Sequence, residues 1–225
     1  MTRRSYGQLC PFAHALDLIG ERWALLVVRE LLLGAKRFSD LAEGLPGIGT
    51  NILSARLREL EAAGVIVRRR LPPPAGSRVY ELTEWGRELE DVMMALGRWG
   101  AKSPAFGDSA AVVKPEWAVL ALKALFPPEA VADVPSTIEL RFGEDAYAIH
   151  VAHDGLDIRH TEATDPEVVI SLDVMTLVGI LRGALGPSQA LKSGAVKLEG
   201  QRRAFERFIG HIVRPEAHPA RAPQR

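Results

Sequence analysis

A short run of glycine and proline near the N-terminus separates two amphipathic segments. Residues 44–49 read Gly-Leu-Pro-Gly-Ile-Gly, and such a run cannot remain helical. The segment 38–43 before it has the apolar spacing of a short helix. The segment 51–63 after it has the spacing of a longer helix, with Thr50 as its N-cap. The sequence therefore predicts two helices that meet at a tight turn.

The second of these helices has an apolar side and a polar side. Leu53, Leu57 and Leu60 form the apolar side, with Ile52 beside them. An α-helix fits the major groove of B-DNA, where the residues of its first turns meet base edges. We therefore predict base contacts from the polar residues that begin this helix. These residues are Thr50, Asn51, Ser54 and Arg58.

Basic residues follow on a predicted β-hairpin. The segments 65–71 and 77–82 are rich in β-branched and basic residues, and a proline-rich tip separates them. Together with Arg56, at the edge of the polar helix side, these arginines would hold phosphates beside the groove. The hairpin arginines are Arg68, Arg69, Arg70 and Arg78. An arginine run is also typical of an ordinary solvated surface, so the pattern alone leaves both interpretations open.

The whole pattern predicts two domains and a fold class that is mainly α with α+β. Helices at 11–19, 21–33 and 84–102 complete an N-terminal domain over 1–102, residues 103–114 form a linker, and 214–225 form a tail. The second domain covers 115–213. Its predicted helices lie at 115–126, 174–182, 188–192 and 202–213, and its strands at 137–142, 146–152, 156–159, 168–172 and 196–199.

Composition excludes several classes of protein. Cys10 is the only cysteine, so the chain can form no internal disulfide and no cysteine-based zinc site. We find no metal-ligand spacing, no cofactor motif and no catalytic set, so we expect no enzyme and no cofactor. We also expect a cytoplasmic protein without a membrane segment. The net charge is +3 for residues 1–104 and −3 for residues 105–225, a mild asymmetry that proves nothing by itself.

Several motifs within residues 8–102 resemble the HxlR family of winged helix-turn-helix regulators. They are Cys10-Pro11, Leu-Asp-Leu-Ile-Gly-Glu-Arg-Trp at 16–23, Arg-Glu-Leu-Leu-Leu-Gly at 29–34, Arg-Phe-Ser-Asp-Leu at 37–41, the run 45–60, and Tyr-Glu-Leu-Thr at 80–83. The resemblance implies a homodimer that binds a near-palindromic operator in double-stranded DNA. It adds Arg37 and Ser39 to the predicted DNA contacts. Gly49 and Ala55 stand where the family more often has Ser and Glu, which affects the base preference.

Cys10 and the helix at 84–102 each allow two interpretations. Cys10 precedes a predicted helix N-terminus, which favours the thiolate, and His14 lies one turn further on. The pair resembles the N-terminal redox sensor of some HxlR-type regulators, but Cys10 is also suited to packing beside a dimer contact. The helix at 84–102 has a wide apolar face that packs on its own domain or across a two-fold axis, and we favour the dimer contact.

The second domain resembles a sterol carrier protein-type domain. The resemblance rests on the segments 165–173, 177–183 and 196–200, together with Ala190 and Gly194. It implies a sheet with helices around an apolar cavity that receives a hydrophobic small-molecule effector. The predicted cavity residues are Phe126, Leu140, Ile149, Leu177 and Leu181. Residues of this kind also simply fill a core, and a carrier protein with a degenerate helical module is the competing hypothesis.

Overall fold

The computed structural model describes residues 5–74, 76–103, 106, 112–126, 136–152 and 155–213. Contacts between residues divide the chain into unit 1, residues 1–93, and unit 2, residues 94–225. The predicted linker at 103–114 and the predicted tail at 214–225 lie mostly outside the described residues, so that division into domains stays a prediction.

Unit 1 contains four helices, a hairpin and a fifth short helix. The helices are α1 (Pro11–Ile19), α2 (Ala24–Leu31), α3 (Phe38–Gly44) and α4 (Thr50–Ala62), and the hairpin consists of β1 (Ile66–Arg70) and β2 (Arg78–Leu82), followed by α5 (Glu84–Arg87). Leucine and valine side chains from α2, α3 and α4 meet in one core with the first residues of β1. Each helix is too short to be stable alone, so this shared apolar contact supports all of them.

Three local features of unit 1 differ from the sequence prediction. The predicted helix at 21–33 is shorter, because Trp23 has a left-handed backbone with φ 79° and α2 begins only at Ala24. Gly49, not Thr50, is the N-cap of α4, and Thr50 is already helical. The predicted helix at 84–102 is broken at Glu88 into α5 and α6 (Leu89–Ala101).

Unit 2 contains a five-stranded sheet and four complete helices among its described residues. The strands are β3 (Ser136–Phe142), β4 (Asp145–Ala152), β5 (Gly155–Arg159), β6 (Val168–Leu172) and β7 (Val196–Gly200), and the helices are α7 (Pro115–Leu125), α8 (Val174–Leu181), α9 (Pro187–Lys192) and α10 (Arg202–Gly210). The strand order is β5-β4-β3-β6-β7, with β3 parallel to β6 and the other pairs antiparallel. Residues 160–167 therefore connect an edge strand to a strand beyond the centre.

The register of the sheet separates an apolar face from a more polar one. Leu140 lies opposite Tyr147 on one side and Ile170 on the other, and all three are buried. On the alternate face, the buried carboxylate of Glu139 binds Arg141 and accepts the backbone N–H of Ala163 at 2.7 Å. The loop that crosses the sheet therefore satisfies this acid, as a buried charge requires.

The helix α8 depends on one acidic N-cap. Asp173 accepts the backbone N–H of Thr176 at 2.8 Å and its hydroxyl at 2.7 Å. These two hydrogen bonds hold the pKa of Asp173 below its usual range, and the one from the Thr176 hydroxyl has the larger effect. A carboxylate with a lowered pKa in the folded state stabilises the protein above its unfolded pKa and loses that effect as the pH falls.

We predict that Asp173→Ala lowers the free energy of unfolding by about 0.5–2 kcal/mol at pH 7, the usual cost of losing an N-cap. The difference from the wild-type protein should narrow below about pH 4, where the unfolded carboxyl protonates. Urea unfolding at pH 7, 5 and 3 measures both effects. Asp173→Asn is the matched control, since it keeps a capping oxygen and removes only the pH-dependent part. An Asp173→Ala difference that is the same at pH 3 and pH 7 would contradict this account.

Candidate nucleic-acid interface

The helices α3 and α4 form a helix-turn-helix whose first helix is capped by a carboxylate. Asp40 accepts the backbone N–H of Arg37 at 2.9 Å and the Ser39 hydroxyl at 3.0 Å, so it satisfies an open donor at the start of α3. The side chains of Arg37 and Ser39 are exposed there. In the turn, Gly47 has φ 89°, a conformation that favours glycine, and the chain then enters α4.

The helix α4 turns one leucine side inward and one polar side outward. Leu53, Leu57 and Leu60 are fully buried in the core of unit 1. Thr50, Asn51 and Arg58 are exposed, and Ser54 is half-buried on the flank. Ile52, which the sequence predicts beside the leucines, is instead 48% exposed. The first turn of α4 therefore leaves polar groups available to a ligand, while their contacts with bases stay a prediction.

Arg56 does not have the position that the sequence predicts for a phosphate contact. Its side chain is only 13% exposed, and its Nη1 lies 2.6 Å from a carboxylate oxygen of Glu59 and 3.5 Å from one of Glu21. On a helical wheel of about 100° per residue, Arg56 lies only about 40° from the buried Leu60, which explains why it faces inward. The guanidinium is held by two acids of unit 1.

The hairpin presents its four predicted arginines at the surface. In the antiparallel register of β1 and β2, Arg68 lies opposite Tyr80 and Arg70 lies opposite Arg78. The Arg68 guanidinium stacks 5.9 Å from the Tyr80 ring centre, Arg69 lies 2.7 Å from Glu81, and Arg70 donates to the carbonyl of Gly76 at 3.1 Å. All four arginines remain exposed, so the hairpin is a basic wing with partly oriented side chains.

A third backbone segment fastens this wing to the helices. Lys36 exchanges two backbone hydrogen bonds with Tyr80, at 3.0 Å and 2.8 Å. The Lys36 ammonium also lies 2.8 Å from Glu30, whose side chain is 1% exposed, and Arg29 lies 2.8 Å from the other oxygen of the same carboxylate. A Cβ on Gly44 would lie 2.3 Å from a carboxylate oxygen of Glu30, so a larger residue at this position of α3 would displace that carboxylate. The segment that pairs with the wing and the helix α3 thus both approach one buried acid.

The structure places Cys10 and His14 one turn apart. Cys10 is half-buried and is the N-cap of α1, and its carbonyl accepts the backbone N–H of His14 at 2.9 Å. His14 is exposed. The chain before them is held to α1, because Asp17 accepts the Ser5 hydroxyl at 2.8 Å and the Tyr6 backbone N–H at 2.9 Å.

The five residues predicted to line a ligand cavity are all buried in unit 2. Phe126, Leu140, Ile149, Leu177 and Leu181 are each at most 3% exposed. A groove of about 460 Å³ in the same unit has a different lining, formed by residues of α9, α10 and the turn after it: Pro187, Ser188, Leu191, Phe205, Glu206, Ile209, Gly210 and Ile212. A cavity among the five predicted residues stays a prediction.

Three residues that organise the interface were not singled out by the sequence pattern. They are Glu21, which binds Arg56; Trp23, with its left-handed backbone; and Glu30, which binds Lys36. The only signal for Glu30 is a charged pair, Arg29 and Glu30, in an otherwise apolar helix. No spacing rule relates Glu21 to Arg56, because their contact joins segments far apart in the chain.

Taken together, a tight turn between two helices, a polar outer side on the second helix and a basic wing define a winged helix-turn-helix. Comparisons with known proteins agree. The HxlR-like helix-turn-helix family model matches residues 18–105. The HTH-type transcriptional regulator sll1512 of Synechocystis sp. is 40% identical over 95 residues, which are 42% of this chain and 70% of that protein. The chain belongs to the HxlR-like helix-turn-helix family.

Solved structures and a second family model extend the comparison. The reduced form of the transcriptional regulator YodB from Bacillus subtilis is 33% identical, with a TM-score of 0.38. The match covers 45% of this chain and 97% of YodB. The alkyl sulfatase C-terminal model matches residues 126–218. The sec-alkylsulfatase Pisa1 from Pseudomonas sp. is 19% identical, with a TM-score of 0.45 and 49% of this chain covered. This chain spans 18% of Pisa1.

These comparisons support the predicted helix-turn-helix of unit 1. For unit 2 they support the sheet-and-helix domain but not its predicted family. The HxlR-type helix-turn-helix is confirmed by the family model and the relatives. The sheet-and-helix domain is present and matches the alkyl sulfatase C-terminal family model, while its sterol carrier protein-type identity stays a prediction. In the part of the chain that the structure describes, no helix has both the length and the apolar character needed to span a bilayer.

Proposed function

We propose that the protein is a transcription regulator that binds double-stranded DNA with α4 in the major groove and the wing beside it. The observation that carries this proposal is the outward polar side of α4, where Asn51 and Arg58 are exposed while the leucines behind them are buried. Asparagine and arginine read purines with paired hydrogen bonds. Relatives of the same family are named as HTH-type transcriptional regulators, which supports the same function.

We propose further that the regulator acts as a homodimer on a near-palindromic operator. Unit 1 exposes Phe12 (82%) and Leu16 on α1, and α6 exposes Val92, Leu96 and Trp99 (74%) at helical spacing. Apolar side chains so spaced are typical of an interface with another molecule. Two recognition helices about 34 Å apart would meet successive major grooves. Sedimentation equilibrium tests the dimer, and a 24.5 kDa monomer at micromolar concentration would exclude it.

A small apolar effector in unit 2 is the regulatory signal that we propose for the second domain. Its support is the set of five buried residues around Leu140 and Leu177. The test is a screen of lipophilic compounds for a shift in both the thermal midpoint and the DNA affinity. If no compound shifts the thermal midpoint or the DNA affinity, these residues only pack the core.

We predict that Asn51→Ala relaxes the base preference at one operator position, with a loss of about 1–3 kcal/mol for the preferred base. Random duplex DNA, which is bound through phosphates, should bind as tightly as before. Selection of bound duplexes from a random pool measures the preference. Gln189→Ala, which truncates an exposed amide on α9 of unit 2, is the control and should leave the selected sequence unchanged. An unchanged preference for Asn51→Ala would remove that residue from the reading surface.

We predict that Arg69→Gln weakens binding to every duplex and reduces the slope of log K against log salt by about 0.9, the effect of losing one phosphate contact. Salt titrations on random duplex measure this slope. Arg159→Gln is a closely matched control. Arg159 is also an exposed strand arginine paired with a carboxylate, that of Asp157 at 2.9 Å, but it lies in unit 2. Equal slopes for the wild-type protein and Arg69→Gln would show that the wing does not contact phosphates.

We also propose that Cys10 receives an oxidant or electrophile signal. Its support is the half-buried thiol at the start of α1, and a solved structure of the relative YodB is quinone-bound. We predict that a quinone changes the DNA affinity of the wild-type protein at least threefold and leaves Cys10→Ser unaffected. Because Cys10 is the only cysteine, mass spectrometry should find one adduct per chain. A labelled protein with unchanged affinity would make Cys10 a packing residue.

A further inference from the structure

The guanidinium of Arg56 joins the middle of α4 to the segment that connects α1 and α2. Nη1 of Arg56 contacts Glu21 at 3.5 Å and Glu59 at 2.6 Å, and Nη2 donates to the second oxygen of Glu59 at 3.2 Å. Nε is buried and has no hydrogen-bond partner among the described residues. The two terminal nitrogens therefore make all the polar contacts that the structure gives this side chain.

The segment that receives Arg56, residues 20–23, is named here the α1–α2 joint. It ends in Trp23, a non-glycine residue with φ 79°, a conformation that persists only where the surroundings determine it. The Trp23 ring packs against the core of unit 1, and its Cη2 lies 3.9 Å from the Cβ position of Gly47 in the turn before α4. The joint thus contacts α4 at its middle through an ion pair and approaches the preceding turn through an indole edge.

The charge around Arg56 argues against a phosphate contact. One positive charge faces two carboxylates, so a phosphate that approached Arg56 would also meet Glu59 and the net negative charge of the cluster. A guanidinium forms a planar fork that fixes the direction of its partners, whereas an ammonium acts as a point charge. Since Glu59 lies on α4 itself, the contact with Glu21 is the one that bears on the rotation of α4 about its own axis.

We propose that Arg56 is a positioning residue for DNA recognition: gripped by Glu59 on α4 and by Glu21 on the α1–α2 joint, it sets the orientation in which α4 presents Asn51 and Arg58. This inference rests on the proposed DNA binding of unit 1. It assigns Arg56 no contact with DNA. Loss of the Arg56 ion pairs should lower the discrimination between operator and random DNA and leave the number of phosphate contacts unchanged.

The test compares a selected duplex with random duplex across a salt series for the full-length protein. Arg56→Met and Arg56→Lys should each lower the ratio of the two affinities at least tenfold, with the salt slope on random duplex unchanged. Glu21→Gln should lower the same ratio even though it makes the protein more positive. It keeps the Arg56–Glu59 pair, so it decides the question if the Arg56 variants fail to fold. Arg69→Gln, in the wing, is the contrast, because it removes a proposed phosphate contact and should reduce the slope by about 0.9.

Each outcome of this experiment decides for or against the proposal. A slope for Arg56→Met that falls as it does for Arg69→Gln would make Arg56 a phosphate contact and overturn the positioning role. Unchanged discrimination in Arg56→Met and Glu21→Gln would make the cluster an ordinary ion pair and overturn it equally. Wild-type protein without salt-dependent binding to any duplex would instead contradict the proposed function, so the two failures are distinguishable.

Discussion

The arrangement of unit 1 depends on the ion pairs made by the buried carboxylate of Glu30. A charge removed from water must be paired, and Glu30 finds Arg29 on its own helix and Lys36 on the segment that pairs with the wing. The oxygen that binds Lys36 also lies 2.3 Å from the Cβ position of Gly44, so a side chain at this position of α3 would displace the carboxylate. One acid in α2 therefore contacts both the segment that pairs with the wing and the helix before the turn.

The parts of unit 1 that follow from local chemistry could be predicted from the sequence. The leucine spacing of α4, the turn at 44–49 and the strands of the wing all depend on neighbours close in the chain, and the structure agrees with them. The prediction fails where a distant contact decides. Trp23 has a left-handed backbone where its ring approaches the turn before α4, and the ion-pair partner Glu21 lies 35 positions before Arg56.

The same distinction explains what the sequence says about unit 2. Alternation placed every described strand within about one residue, because the side-chain period of a strand is two and one face is buried. Periodicity cannot separate a lined cavity from a filled core, since both require apolar residues at the same positions. Leu140 and Ile149 are buried in either case, and only the paths of the helices could place a groove at α9 and α10 instead.

The carboxylate partner of an arginine, more than the number of arginines, determines what that arginine contributes at this surface. The excess positive charge of residues 1–104 is only +3, so binding to DNA depends on where the charges lie. The Arg56 side chain is only 13% exposed and pairs with two acids, whereas Arg69 shares one acid and keeps more than half of its side chain in water. Arg69 can therefore exchange Glu81 for a phosphate at little cost, because an exposed ion pair contributes about 0–1 kcal/mol. The acids of unit 1 thus divide its arginines into those that hold the fold and those that remain available to a nucleic acid.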